Sequence, residues 1–155
     1  MKKTLMALAL SMAVSASCFA AGASGRFAAE EKTADALIAA LIGNGTYEQV
    51  SKSFSQPLKA NVTAEKFAAL KKDIKTKVGT IKNPSFAQLM KPYTFQKGYN
   101  GIDALIYLGA VDAEKGARIL IAFIEENNAP KVADINVSLM PLQQAKPAQE
   151  EAPKK

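Results

Sequence analysis

The chain of 155 residues contains no histidine, and Cys18 is its single cysteine. Histidine and cysteine supply the bases, nucleophiles and nitrogen or sulfur ligands of most catalytic triads, thiol proteases and zinc sites. The sequence also lacks a Ser-x-x-Lys pair, a phosphate-binding P-loop and an EF-hand loop. These absences exclude the commonest hydrolytic and metal-dependent chemistries, and the sequence predicts neither a cofactor nor a bound metal ion.

Residues 1–20 have the three-part pattern of a secretory signal peptide: two lysines, an apolar segment from Leu5 to Val14, then small neutral residues. The apolar segment is too short to cross a bilayer as a mature helix. We therefore expect a periplasmic or secreted protein, not a transmembrane one, with cleavage after Ala20 or Ala23. Acylation of Cys18 in a lipoprotein is disfavoured, because Ser15 stands where that signal usually has an aliphatic residue.

Removal of this leader also removes the cysteine and two lysines, which leaves 18 basic and 14 acidic side chains. A mature chain without a thiol forms no disulfide, although the compartment permits disulfides. A net charge of +4 is mild, and it gives no argument for nucleic acid as a partner. The remaining length suffices for one domain with its own core.

Three amphipathic helices are predicted in the first half of this domain, because apolar residues recur at spacings of three, four and seven. The first spans Ser24–Ile42 and ends at Gly43–Gly45, where glycine is expected to adopt a left-handed backbone. The second begins with a capping box at Thr46, and the third begins at Thr63. Pro57 is predicted to interrupt helical structure between them.

Four strands are predicted after the helices, with turn residues between the last three. They are assigned to residues 85–98 (an edge or bulged strand), 102–111, 118–126 and 132–140. The fold class is therefore α+β, with three N-terminal helices packed on a curved four-stranded antiparallel sheet in a single domain from 24 to 140. Residues 141–155 are rich in proline and polar residues, and a disordered tail is expected there.

The two middle strands are apolar on both faces, unlike the last strand, where Asp134, Asn136 and Ser138 alternate with apolar residues. Helices cover only one face of a sheet, so the other face is expected to bind a small apolar ligand or a second copy of the chain in a homodimer. The candidate residues for this pocket or interface are Tyr93, Phe95, Leu105, Tyr107, Ile121 and Phe123.

Several short segments resemble a small domain of unknown function that often precedes alpha/beta hydrolase domains in bacterial secreted proteins. They are LIGNGTYEQV from Leu41, FSQPLK from Phe54, TAEKF from Thr63, Gly79, and KVADINV from Lys131. The resemblance covers roughly residues 28 to 140. It implies a cystatin-like, nuclear-transport-factor-like cone fold and dimers, and it supplies no catalytic residue. We therefore expect a non-catalytic binding or assembly module.

Two other functions stay open at this point. Cone folds can host proton-transfer enzymes, for which Asp103 or Asp134 would pair with a tyrosine; the candidates are Tyr93, Tyr99 and Tyr107. Alternatively, lysines that outnumber acids between residues 66 and 97 could bind an anionic envelope component. The candidate anion-binding residues are Lys71, Lys72, Lys75 and Lys77.

The lysine hypothesis makes a direct prediction. Reversing Lys71, Lys72 and Lys75 to glutamate should abolish salt-sensitive binding to anionic vesicles, because repulsion replaces attraction. Co-sedimentation of the mature protein with such vesicles measures the effect. Binding that is unchanged by the reversal would dispose of the hypothesis.

Overall fold

The computed structural model describes residues 23–94 and 98–142. Its helices precede its strands along the chain, and the main sheet is antiparallel and curved, so the predicted α+β class is confirmed. The prediction of a cleaved leader lies outside the described residues, as does the predicted disordered tail from residue 143 onward. Pro141, the first residue assigned to that tail, is instead the last residue of the final strand. The helices are α1 (Ala23–Ile42), α2 (Tyr47–Val50), α3 (Gln56–Asn61) and α4 (Ala64–Asp73), with a 3₁₀ turn at Ser51–Ser53 and a π turn at Ile74–Val78.

The four strands of the main sheet are β1 (Lys82–Met90), β4 (Asp103–Ala110), β5 (Lys115–Glu126) and β6 (Ala129–Pro141). They lie in the order β1-β4-β5-β6, and all neighbours are antiparallel. Between β1 and β4 the chain forms a separate two-stranded sheet from β2 (Tyr93–Thr94) and β3 (Gly98–Tyr99). The meander of the last three long strands is therefore as predicted.

Strand β1 lies at one edge of the sheet, and its pairing with β4 shifts register twice, between Lys82 and Ser85 and between Phe86 and Gln88. The prediction of a bulged edge strand is confirmed, but its bounds are wrong. Pro92 follows the strand instead of lying within it, as expected for a residue that cannot donate to a ladder.

The opposite edge of the sheet is strand β6, and part of its backbone is already occupied. The Ser55 N–H donates to the carbonyl of Val132 at 2.8 Å, and Phe54 forms a parallel bridge with the same residue. Further along, the N–H of Ile135 donates to the side chain of Asp134 at 2.8 Å. These contacts use backbone groups that an edge strand would otherwise offer to another chain.

Two turns make the long strands longer than predicted. Asn127 and Asn128 both have positive φ angles, 54° and 58°, so two residues suffice to close the hairpin and β6 begins at Ala129. In the preceding turn, the Asp112 carboxylate accepts the backbone N–H groups of Glu114 and Lys115 at 2.9 and 2.8 Å. This Asx turn starts β5 three residues earlier than the apolar pattern indicates.

The predicted helix starts are confirmed. The Thr46 N–H donates to Gln49 Oε1 at 2.9 Å, and Thr63 Oγ1 accepts the Lys66 N–H at 3.4 Å. The reason given for the stop after α1 is wrong, because Gly43 and Gly45 do not have positive φ angles. Gly45 is required by close approach instead, since a Cβ there would lie 2.5 Å from the Ala40 Cα.

Helix α3 is absent from the sequence predictions, which place a break at Pro57. Ser55 is its N-cap, and its hydroxyl accepts the Leu58 N–H at 3.3 Å. Pro57 occupies the first turn, where its missing N–H would have had no helical partner. The structure therefore has four α-helices in the described residues where three were predicted.

All the helices contribute to one core on one face of the sheet, which we call the inner face. Its fully buried sheet residues include Leu105, Ile121, Phe123 and Val132, and they cluster with Leu37 and other residues of α1, α2 and α4. The opposite, outer face contributes no residue to this cluster. The helices of the described residues therefore cover only one side of the sheet.

The position of Phe123 predicts a large loss of stability on truncation. Its side chain is 0% exposed, so Phe123→Ala should lower the free energy of unfolding by roughly 3–5 kcal/mol. Urea denaturation measures the change. Phe86→Ala is the control, because Phe86 is 36% exposed and its truncation should cost much less; equal losses would contradict the assigned core.

Candidate functional site

The structure places four of the six candidate pocket residues in the core. Leu105, Ile121 and Phe123 are fully buried on the inner face, and Tyr107 is 3% exposed. The side chains of Tyr93 and Phe95 lie outside the described residues. The inner face of β4 and β5 is therefore packed against helices, and the outer face is the one that a ligand or a second copy of the chain would contact.

Strand register divides the outer face into rows of neighbouring side chains that run across the four strands. The first row is Ser85, Leu108, Arg118 and Ser138. The second row is Gln88, Ile106, Leu120 and Asn136. The third row is Met90, Ala104, Ala122 and Asp134.

The outer face has an apolar centre and a largely polar border. Its central strands β4 and β5 present Ile106, Leu108, Leu120 and the two alanines of the third row, with Arg118 among them. The bordering strands β1 and β6 present mainly serine, asparagine, glutamine and aspartate. The surface is not level: Ile106 and Ala104 are each 6% exposed, whereas Leu108 is 38% exposed.

A buried group of charges lies on the inner side, where the N-terminal part of α1 meets the sheet. Asp103 at the start of β4 and Glu30 in α1 are each 1% exposed. Arg26 connects them, with its Nε 2.9 Å from Glu30 Oε1 and 3.2 Å from Asp103 Oδ2. Its Nη1 lies 2.9 Å from the Glu125 carboxylate, so one guanidinium joins α1, β4 and β5.

Two further side chains complete this ion network. The Tyr99 hydroxyl donates to Asp103 Oδ1 at 2.5 Å. Lys91 Nζ lies 3.2 Å from the Asp103 carboxylate and 5.4 Å from the centre of the Tyr99 ring, which adds a cation–π contact. The network therefore also fixes both ends of the segment that connects β1 to β4.

The two buried carboxyl groups have opposite pKa shifts. Burial raises the pKa of Glu30 more than the hydrogen bond from Arg26 lowers it, and the Asp103 charge raises it further. Burial alone would also raise the pKa of Asp103, but hydrogen bonds from Tyr99 and Lys91 outweigh it and lower that pKa. Asp103 is therefore the ionised partner, and Glu30 is the carboxyl that gains a proton more readily.

The proton-transfer hypothesis named Asp103 and Tyr99 among its candidates, and the structure brings these two into contact. A general base works best with a pKa near the working pH, whereas the pKa of Asp103 is lowered. Burial and the hydrogen bond to Asp103 raise the pKa of Tyr99 to about 12. Asp134 is exposed on the outer face, whereas Tyr107 lies on the inner face. These properties suit a structural ion network better than a catalytic pair.

Two of the four candidate lysines already have partners. Lys71 Nζ donates to the carbonyl of Gly45 at 2.6 Å, and Lys77 Nζ lies 2.7 Å from Asp73. Lys72 and Lys75 are exposed. A test of anion binding is therefore cleaner with Lys72→Glu and Lys75→Glu, since reversing Lys71 would also break a contact between α4 and the loop after α1.

An open groove lies between α1 and α2, with a volume of about 510 Å³. Its lining includes Ala36, Ala39, Asn44 and Gln49, and no charged side chain belongs to it. Such a groove offers little to orient a substrate, because specific sites combine apolar walls with converging polar groups.

Sequence reasoning missed Arg26, Glu30 and Lys91 as members of the ion network. One signal was present: Glu30 lies three residues after Phe27 and four before Ala34, inside the apolar stripe of α1. A carboxylate in such a stripe needs a buried cation, and Arg26 lies four residues away on the same helix face.

Comparison with known proteins found no matching family model, no matching curated protein and no matching solved structure. The resemblance to the domain that precedes alpha/beta hydrolases therefore stays a prediction. None of the helices in residues 23–94 and 98–142 combines the length and apolar character needed to cross a bilayer.

The opposite pKa shifts predict opposite effects of neutralising the two carboxyls. The folded-state pKa of Glu30 lies above its ordinary value of 4.5. The natural chain therefore loses stability as the pH rises above 4.5 and Glu30 ionises in its buried position. Gln at this position accepts from Arg26 and cannot ionise. The stability of Glu30→Gln relative to the natural chain should therefore increase between about pH 4 and pH 7.

Asp103→Asn is the contrasting variant. Asp103 contributes stability above its ordinary pKa of 3.8, and this contribution is lost on acidification. The variant should lose roughly 3–5 kcal/mol near neutral pH, and less as the pH falls toward 3. Urea denaturation across the pH range measures both differences; two parallel profiles would contradict the assignment.

Proposed function

We propose that this protein is an exported, non-catalytic assembly module that forms a homodimer through the outer face of its sheet. The observation that carries the proposal is the apolar centre of that face on β4 and β5. No helix of the described residues packs against this centre, and none of its residues belongs to the hydrophobic core. A solvated sheet face normally carries polar residues at alternate positions. Strand β6 follows that rule with Asp134, Asn136 and Ser138, and β4 and β5 do not.

The arrangement of residues on the outer face supports a protein partner. Interfaces between proteins commonly have an apolar centre surrounded by a polar rim, and arginine is enriched in them. The outer face has this distribution, with Ile106 and Leu120 in its middle row and Arg118 beside them. The apolar residues lie on two adjacent strands, an arrangement that suits a second protein surface better than an enclosed site for a small ligand.

The ion network argues against the proton-transfer alternative. Its aspartate has a lowered pKa, its tyrosine has a raised pKa, and both are held by charged neighbours from separate elements. Removing a proton from substrate requires a stronger base than Asp103 in this setting. The network instead stabilises the contact between α1 and the sheet.

Sedimentation velocity of the mature protein over a concentration series tests the proposal. The natural chain should pass from monomer to dimer as concentration increases. Leu108→Glu should remove the dimer, because it replaces an apolar contact with a carboxylate that loses its hydration when the two faces meet. Leu108 is already 38% exposed, so the monomer should tolerate the change.

Ala69→Glu is the matched control, since it adds the same charge at an exposed position of α4. It should dimerise like the natural chain. A natural chain that is monomeric at every concentration, or a dimer that withstands Leu108→Glu, would overturn the proposal. Native mass spectrometry of the same samples detects a bound small ligand, which would favour the pocket interpretation.

A further inference from the structure

The outer face matches itself when one copy is turned over onto another. Consider a two-fold axis that lies between two such faces and runs across the strands, along the second row. The operation keeps the second row opposite itself and places the first row opposite the third row of the other copy. Leu120 then lies next to the axis, as the apolar centre of an isologous contact requires.

This operation pairs large side chains with small ones. Leu108 of the first row comes to lie over Ala104 of the other copy, and Arg118 comes to lie over Ala122. The exposures agree with this pairing, since the Leu108 side chain is 38% exposed and Ala104 only 6%. Tight packing between faces requires such alternation of large and small residues.

The same operation brings opposite charges together. Arg118 and Asp134 lie on adjacent strands four residues apart, roughly 13 Å along the sheet, which is too far for an ion pair within one chain. Neither forms a salt bridge with any other described residue. After the two-fold rotation, Arg118 lies over Ala122 in the third row of the other copy. Asp134 of that copy is the neighbour of Ala122 on the adjacent strand, about 5 Å to the side.

We propose that the partner of the outer face is a second copy of this chain, bound face to face about a two-fold axis along the second row, with Arg118 paired to Asp134 of the partner subunit. The symmetry produces two such ion pairs, one on each side of the axis. They fix the register of an interface whose apolar centre would otherwise permit sliding. This inference rests on the proposed function and adds the geometry of the dimer.

The size of the face sets the concentration range of the experiment. Four strands about 4.8 Å apart and five rows about 6.6 Å apart cover roughly 500 Å², less than the roughly 800 Å² that each partner of a standard stable interface contributes. An interface of this size is typical of weak association, so the measurements should extend to about 1 mM protein.

Charge reversal and rescue test the geometry. Arg118→Glu alone and Asp134→Arg alone should each weaken the dimer at least about tenfold, because each creates two like-charge contacts. The double variant Arg118→Glu, Asp134→Arg restores both pairs with reversed polarity, so its dissociation constant should return to within about threefold of the natural value. Sedimentation equilibrium measures all four proteins.

The matched control combines Arg118→Glu with Glu114→Lys. It has the same net charge as the rescued double variant, but Glu114 lies in the exposed turn between β4 and β5. This control should stay as weak as Arg118→Glu alone. Equal dimerisation of the control and the rescued variant would mean that net charge, not pairing, governs association, and would overturn the inference.

A milder measurement covers the case in which Arg118→Glu fails to fold. Asp134→Asn changes an exposed side chain, and it should weaken the dimer and reduce the dependence of its dissociation constant on salt. An unchanged salt dependence would contradict the ion pair.

The outcomes separate the two proposals. Suppose that the natural chain dimerises, that Leu108→Glu removes the dimer, and that the double charge reversal does not restore it. The outer face then remains the interface, and only the proposed register is wrong. A monomeric natural chain overturns both.

Discussion

The whole structure depends on the fact that its helices lie on one side of the sheet. Leu105, Ile121 and Phe123 are fully buried because α1, α2 and α4 cover them. Burial of such side chains is the main favourable term in folding, at about 25 cal/mol per Å² of apolar surface. Among the described residues, the same arrangement leaves the outer face of β4 and β5 apolar and without a helix over it. The asymmetry that stabilises the monomer therefore also creates the surface proposed for assembly.

The ion network has a different part in this architecture. It lies where α1 enters the domain, and it ties the helix to β4, β5 and both ends of the segment between β1 and β4. Charges this deeply buried give little net stability compared with apolar packing, but removing one partner is costly. We interpret the network as a device that fixes the position of α1 on the sheet, with Arg26 as the group that joins α1 to Asp103 and Glu125.

The sequence was sufficient for the parts of the fold that follow from periodicity and turn chemistry. The stripe that includes Leu37 and Leu41, the capping residues Thr46 and Thr63, and the meander of three strands are all as predicted. Helix α3 was missed because its first turn contains a proline, and the ion network because its members are separated by up to 99 residues. Apolar runs on both faces of β4 and β5 could be identified from the sequence, but only the register assigns each residue to a face.

The blunted edges of the sheet determine how far assembly can proceed. Strand β1 is bulged at two places, and β6 has backbone groups occupied by Ser55 and by the side chain of Asp134. A chain whose strand edges are closed in this way cannot easily extend its sheet into a neighbour. In the proposed dimer each face is used completely by the other copy, so association would end at two subunits and would not continue into a fibre.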